Sequence, residues 1–214
     1  MLSRTKKFAI AGTCAGALIA GTAAASFANA DAGDNFSRPA GTVETAALKT
    51  GTTMNFKGTI DGVAITVKCT GFKASGKLPA TGLTVTLTNP PTISGCTDSL
   101  GGTDTVTTNQ TNGKWKLQEV DAPATSDTVE PNTGDKAVLI IPKAGATFKS
   151  SILSSCTVTA APSGAARVSG TYNDINTIHD NGANIPTAGT GCTTAANAHV
   201  VATVVLSPTV HDTK

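Results

Sequence analysis

Apolar and polar residues alternate with a period of two through much of the chain. In Val63-Ala64-Ile65-Thr66-Val67-Lys68-Cys69-Thr70, the odd positions form one apolar face and the even positions a small or polar one. Leu83 to Thr88 repeats the scheme with Leu83, Val85 and Leu87 on one side. Such alternation predicts strands with one face buried and one wet, and it puts Cys69 on the core side. Thr53 to Ile60 runs into Asp61-Gly62, a two-residue turn that leads back into Val63, so a hairpin is expected there. Lys114 to Leu117 alternates cation with large apolar residue, with Trp115 and Leu117 on one face. Cys156 to Thr159 points cysteine and valine inward. Ala137 to Ile141 and Val200 to Leu206 are apolar on both faces, the pattern of central strands covered on each side.

Turn formers separate these runs: Asn89-Pro90-Pro91, Gly101-Gly102, Asn112-Gly113 and Pro131-Asn132. No segment sustains a 3.6-residue period. The best helical candidate, Thr193 to Ala198, amounts to a turn or two. The chain is threonine-rich, and threonine suits strands while keeping an outer face soluble without charge. The expected fold is therefore all-β, an antiparallel β-sandwich or partly closed barrel, in one domain over 43–210 with a tail at 211–214.

The N-terminus departs from this pattern. Arg4, Lys6 and Lys7 precede an uncharged run from Phe8 to about Phe27, and Ala28-Asn29-Ala30 follows as a small-x-small site. These features predict a signal peptide over 1–30, cleaved between Ala30 and Asp31, ahead of a flexible lead over 31–42. Residues 11–13 (AGT) before Cys14 lack a lipobox. Cleavage removes three of the 16 cations and none of the 14 acids, leaving 13 against 14. The basic balance of the whole chain thus comes from the leader. Without a net positive field, nucleic-acid binding has no electrostatic source. No membrane span is expected in the mature chain.

Four cysteines remain in the mature region: Cys69, Cys96, Cys156 and Cys192. In an exported chain an even count reads as two disulfides, and their wide spacing argues against zinc. Cys69–Cys96 with Cys156–Cys192 is preferred among the three connectivities, since each closes a loop in its own half. The loop-entropy model assigns each bridge roughly 3–4 kcal/mol.

Candidate chemistry is thin. No Gly-x-Ser-x-Gly elbow occurs, and Lys49-Thr50-Gly51 lacks the partner motifs of penicillin-recognising enzymes. His179, in a polar loop, could be drawn as a triad with Asp174 or Asp180 and a serine, but ordinary solvation explains it better, as it does His199 at the start of the last strand and His211 in the tail. Glu119 and Asp121 share a face, yet the groove of a glycosidase needs more aromatics than Trp115, Tyr172, Phe36, Phe56, Phe72 and Phe148 supply. The oxygen-rich stretch 173–182 could give calcium some ligands, although it lacks the EF-hand order and reads equally as a turn-rich loop. No catalytic residue, metal site or cofactor is assigned. Aromatic girdles for a membrane barrel are also missing.

The order of features resembles a group of small secreted actinobacterial β-rich proteins of uncharacterised function with two cysteine pairs. The residues that carry the likeness are Val67 to Thr70, Ile93 to Thr97, Trp115 to Leu117, Ser155 to Thr157 and Gly191-Cys192. It implies export and paired cysteines, and brings no active site. The leading expectation is a non-catalytic extracellular or cell-envelope protein with an unknown extracellular or envelope partner. A protease inhibitor presenting loop 121–135 is the alternative, followed by a secreted hydrolase.

Overall fold

The computed structural model describes residues 35–36, 38–120, 134–174, 176–209 and 212–213. The expected leader with its expected cleavage site at Ala30 and Asp31, together with Asp121, most of loop 121–135 and His211, lies outside the described residues. The strands in chain order are β1 (Asn35–Phe36), β2 (Val43–Leu48), β3 (Met54–Ile60), β4 (Val63–Lys77) and β5 (Thr84–Leu87). Next come β6 (Thr92–Asp98), β7 (Thr103–Thr108), β8 (Lys116–Val120), β9 (Lys136–Ile141) and β10 (Ala146–Ser150). The series ends with β11 (Thr157–Ala160), β12 (Ala166–Asp174), β13 (Thr177–Thr190), β14 (Asn197–Ser207) and β15 (Asp212–Thr213). No helix occurs among the described residues, so the helical turn expected over Thr193 to Ala198 is corrected. Thr194 instead bridges to Ile60, and Asn197 and Ala198 open β14.

Strands β2 to β14 form one antiparallel sheet, and β1 pairs separately with β15. The pairing closes on itself in two circuits. One runs β4, β5, β8, β9, β12, β13, β14, β2 and back to β4. The other runs β4, β6, β7, β10, β11, β13, β14, β3 and back to β4. The long strands β4, β13 and β14 belong to both. The all-β antiparallel reading therefore holds, but the sheet is ring-like, neither two stacked sheets nor a simple barrel.

A strand that serves two circuits must re-aim its side chains along its length. In β4 the buried set is Ile65, Val67 and Cys69 at first, then shifts to Phe72 and Gly76. The switch falls at Thr70, opposite Gly95 of β6, whose φ of 62° suits glycine. An added Cβ at Gly95 would collide with Thr70 Oγ1. In β13 the same job is done by a bulge between Asn181 and Ala183. Gly182 there has φ 101°, and Asp180 Oδ1 accepts hydrogen bonds from the amides of Gly182 at 3.2 Å and Ala183 at 2.9 Å.

The hairpin predicted at Asp61-Gly62 is present, with Ile60 paired to Val63 and both turn residues at positive φ. β9 is covered on both faces as expected: neighbours Ala137 and Val138 are 2% and 0% exposed. Both disulfides join the preferred partners, Cys69–Cys96 and Cys156–Cys192. The first links a cross-strand pair of β4 and β6 and is buried in the core, where the period-two pattern placed Cys69.

Close approach of strands makes some glycines obligatory. At buried Gly76 of β4, a Cβ would lie 2.8 Å from the carbonyl oxygen of Thr86 and would collide with Val85. Backbone cannot give way as a side chain can, so Gly76→Ala is expected to cost about 2 kcal/mol by overpacking. Urea denaturation measures it, and an unchanged midpoint would refute the contact.

Candidate functional site: an apolar interior with buried carboxylates

Inward-facing residues of the circuit containing β3, β6, β7, β10 and β11 surround an apolar cavity of about 110 Å³. Phe56, Ile65, Trp115, Ile141, Phe148 and Val168 are among its walls. Phe56 and Phe148 meet edge to face, with ring centroids 4.8 Å apart. A second void of about 80 Å³ lies within the other circuit, among Ala46, Leu87, Leu117, Ala137, Ile178 and Leu206. Met54, Phe72, Leu139, Val168 and Val200 line both and stand between them.

Carboxylates border this interior in two places. Asp98 closes β6, and Asp104 on β7 is the cross-strand partner of both Cys96 and Ser150. Asp98, Asp104 and Ser150 all line the larger cavity. Asp98 has donors on both oxygens: Oδ1 accepts the amides of Leu100 at 2.8 Å and Gly102 at 2.9 Å, and Oδ2 accepts the Ser150 hydroxyl at 2.6 Å. Burial pushes its pKa up, but the Ser150 hydroxyl and the Gly102 and Leu100 amides outweigh this and leave it below the ordinary value. Asp104 has the opposite balance. Burial, reinforced by the charge of Asp98, raises its pKa to about 6.

The second grouping comprises Glu44 on β2, Glu119 on β8, Asp135 just before β9 and Tyr172 on β12. All four are at least nine-tenths buried. Burial lifts Glu44 to about 7. Burial, then the charges of Glu119, Glu44 and Asp135, pushes the Tyr172 phenol well above its usual range. Glu119 thus belongs to a buried acidic layer.

Four described side-chain atoms are buried without a hydrogen-bond partner: Glu44 Oε2, Asp104 Oδ2 and both amide atoms of Gln110. Of these residues only Asp104 lines a cavity. A buried acceptor left unpaired costs free energy, and a donor reaching it from the cavity would recover that cost. Sequence spacing gave no warning of Asp104. It sits in Thr103-Asp104-Thr105, where alternation alone leaves the inward face undecided.

The other sequence candidates are not brought together. The stretch 173–182 is corrected from a loop to a tight hairpin of β12 and β13, which sends successive side chains to opposite faces. Asp174 Oδ1 accepts the Asn176 amide there, and Asp180 is spent on the bulge. His179 is likewise corrected from loop to strand; its Nδ1 lies 3.0 Å from Thr203 Oγ1, and Asp180, next in the strand, faces the other way. His199 Nδ1 is 3.4 Å from the Gly182 carbonyl. Lys49-Thr50-Gly51 is the turn between β2 and β3, where the Thr52 hydroxyl donates to the Lys49 carbonyl. Among the described residues no three His, Cys, Asp or Glu side chains are grouped to hold a metal ion.

Fold and interior together define the class: an all-β, disulfide-bridged ring-like sheet around an apolar interior. No family model, curated protein or solved structure matches this chain. Two disulfides suggest an oxidising environment. No helix of the described residues is long and apolar enough to cross a membrane.

Proposed function

We propose that this is an exported, non-catalytic binding protein whose ring-like sheet holds a small apolar molecule in the larger cavity. The carrying observation is that cavity of about 110 Å³, walled by Phe56, Ile65, Trp115, Phe148 and Val168. Protein interiors are packed as densely as organic crystals, so a void of this size forfeits dispersion contacts that an occupant restores. An apolar cavity of ~150 Å³ stays dry and takes up benzene or xenon. Drug-sized ligands need roughly 300 Å³ or more, so the occupant is small. Export is supported by the leader-type N-terminus and by the two bridges. The engaged positions of His179 and Asp180 favour binding over catalysis.

Xenon and benzene test the cavity directly. At saturating probe, the melting temperature is expected to rise by ligand linkage, with NMR shifts confined to Phe56, Trp115, Phe148 and their neighbours. No stabilisation and no shifts at about 10 mM benzene would overturn the reading.

A further inference from the structure

We infer that the occupant of the larger cavity is a small alkylamine, its ammonium group bound by Asp104 and its hydrocarbon part by the apolar walls. The inference rests on the proposed ligand role of that cavity and names the ligand class.

The chemistry follows from what faces Asp104. From β6 it meets Asp98 and the Cys69–Cys96 bridge, and from β10 it meets Ser150. Lys57 on β3 also lines the cavity, but it is exposed. The Ser150 hydroxyl is already given to Asp98 at 2.6 Å. Asp98 in turn already has a donor on each oxygen, so its main contribution to the site is charge. Among the described residues, the one buried side-chain oxygen without a hydrogen-bond partner that belongs to a cavity-lining residue is Asp104 Oδ2. A carboxylate beside a second carboxylate, in an apolar setting, asks for a donor that also carries positive charge. An ammonium supplies both, whereas an alcohol or amide supplies only the hydrogen bond. Charge-assisted hydrogen bonds are roughly twice as strong as neutral ones. The volume limits the hydrocarbon part to about four to six carbons, no larger than the benzene that a ~150 Å³ cavity accepts.

Isobutylamine, isobutanol and benzene are the probes, titrated calorimetrically into the full chain at pH 8 and pH 5. At pH 8 the amine is expected to bind about tenfold more tightly than the alcohol. At pH 5 the preference should shrink, because Asp104 takes up a proton there while Asp98 stays ionised. Asp104→Asn should bind amine and alcohol alike and still bind benzene. Should that variant fail to fold, Asp104→Ser and the pH comparison on the unaltered chain carry the same test. Benzene binding with no amine preference at pH 8 overturns this inference and leaves the cavity reading standing. If no probe binds, both fall.

Discussion

Trp115→Ala is expected to cost about 4 kcal/mol, a large part of the 5–15 kcal/mol that a domain commonly has. Trp115 is 2% exposed and stands immediately before β8, with its ring against the larger cavity. Its backbone carbonyl accepts the Leu87 amide at 2.9 Å, and its indole Nε1 donates to the Asn109 carbonyl at 2.8 Å. Asn109 is itself fastened: its amide donates to the Gly145 carbonyl, and its side-chain Nδ2 donates to the Ala144 carbonyl at 2.9 Å. The indole thus fills core and ties down the β7–β8 connection, which Asn109 in turn joins to the β9–β10 turn. Trp115→Phe keeps most of the volume and loses one hydrogen bond, so its cost should be only about 1 kcal/mol. The alanine variant also enlarges the cavity, and added indole should raise its melting temperature while leaving that of the unaltered chain unchanged. Equal costs for the two variants would show that packing is not what Trp115 supplies.

Glu44 should make the protein lose stability as the pH rises. Its carboxyl moves from an ordinary 4.5 to about 7 because it is buried, and Oε2 has no hydrogen-bond partner. A raised pKa means that the folded state holds the proton more tightly than the unfolded state. The resulting stabilisation is complete below about pH 4.5 and is lost as the pH climbs through about 7. At ~1.36 kcal/mol per pKa unit, the loss is about 3 kcal/mol. Glu44→Gln keeps the shape and cannot ionise. Its stability should match that of the unaltered protein near pH 4.5 and exceed it by up to about 3 kcal/mol at pH 8. Urea denaturation at pH 4.5, 6 and 8 reads the difference. A gap that stays constant across that range would show that Glu44 does not titrate with folding. Asp104 acts in the same direction over lower pH, but it is present in both proteins and cancels.

The strands of the core were legible because burial on one face leaves a period of two in the residues. Ile65, Val67 and Cys69 fall inward, and so do Leu83, Val85 and Leu87. The turn at Asp61-Gly62 was legible because positive φ selects such residues. Hairpin β12–β13 was harder to read. Asn173, Asp174 and Asn176 look like loop residues, yet Asn173 and Asp174 end β12, where Asp174 pairs with Thr177, and Asn176 sits in the turn. The same holds for Thr193 to Ala198, where local preference yields to the bridge at Ile60 and to β14.

What the sequence determined by itself was the all-β class, the inward face of most strands and the position of Cys69, since each depends on side chains a few residues apart. The disulfide partners were inferred from loop length and are met in the structure, because the Cys69–Cys96 pair is a register pair of adjacent strands. Only the tertiary structure decided how the strands close. Two circuits sharing β4, β13 and β14 require contacts between residues far apart in the chain, such as Thr45 with Ser207. Closure creates the interior, and it brings Asp104 beside Asp98 and Ser150 and Glu44 into the layer with Tyr172. A carboxylate's partner, or the lack of one, is a property of what surrounds it in space. Alternation along a strand can say that a residue faces inward, but not what it will find there.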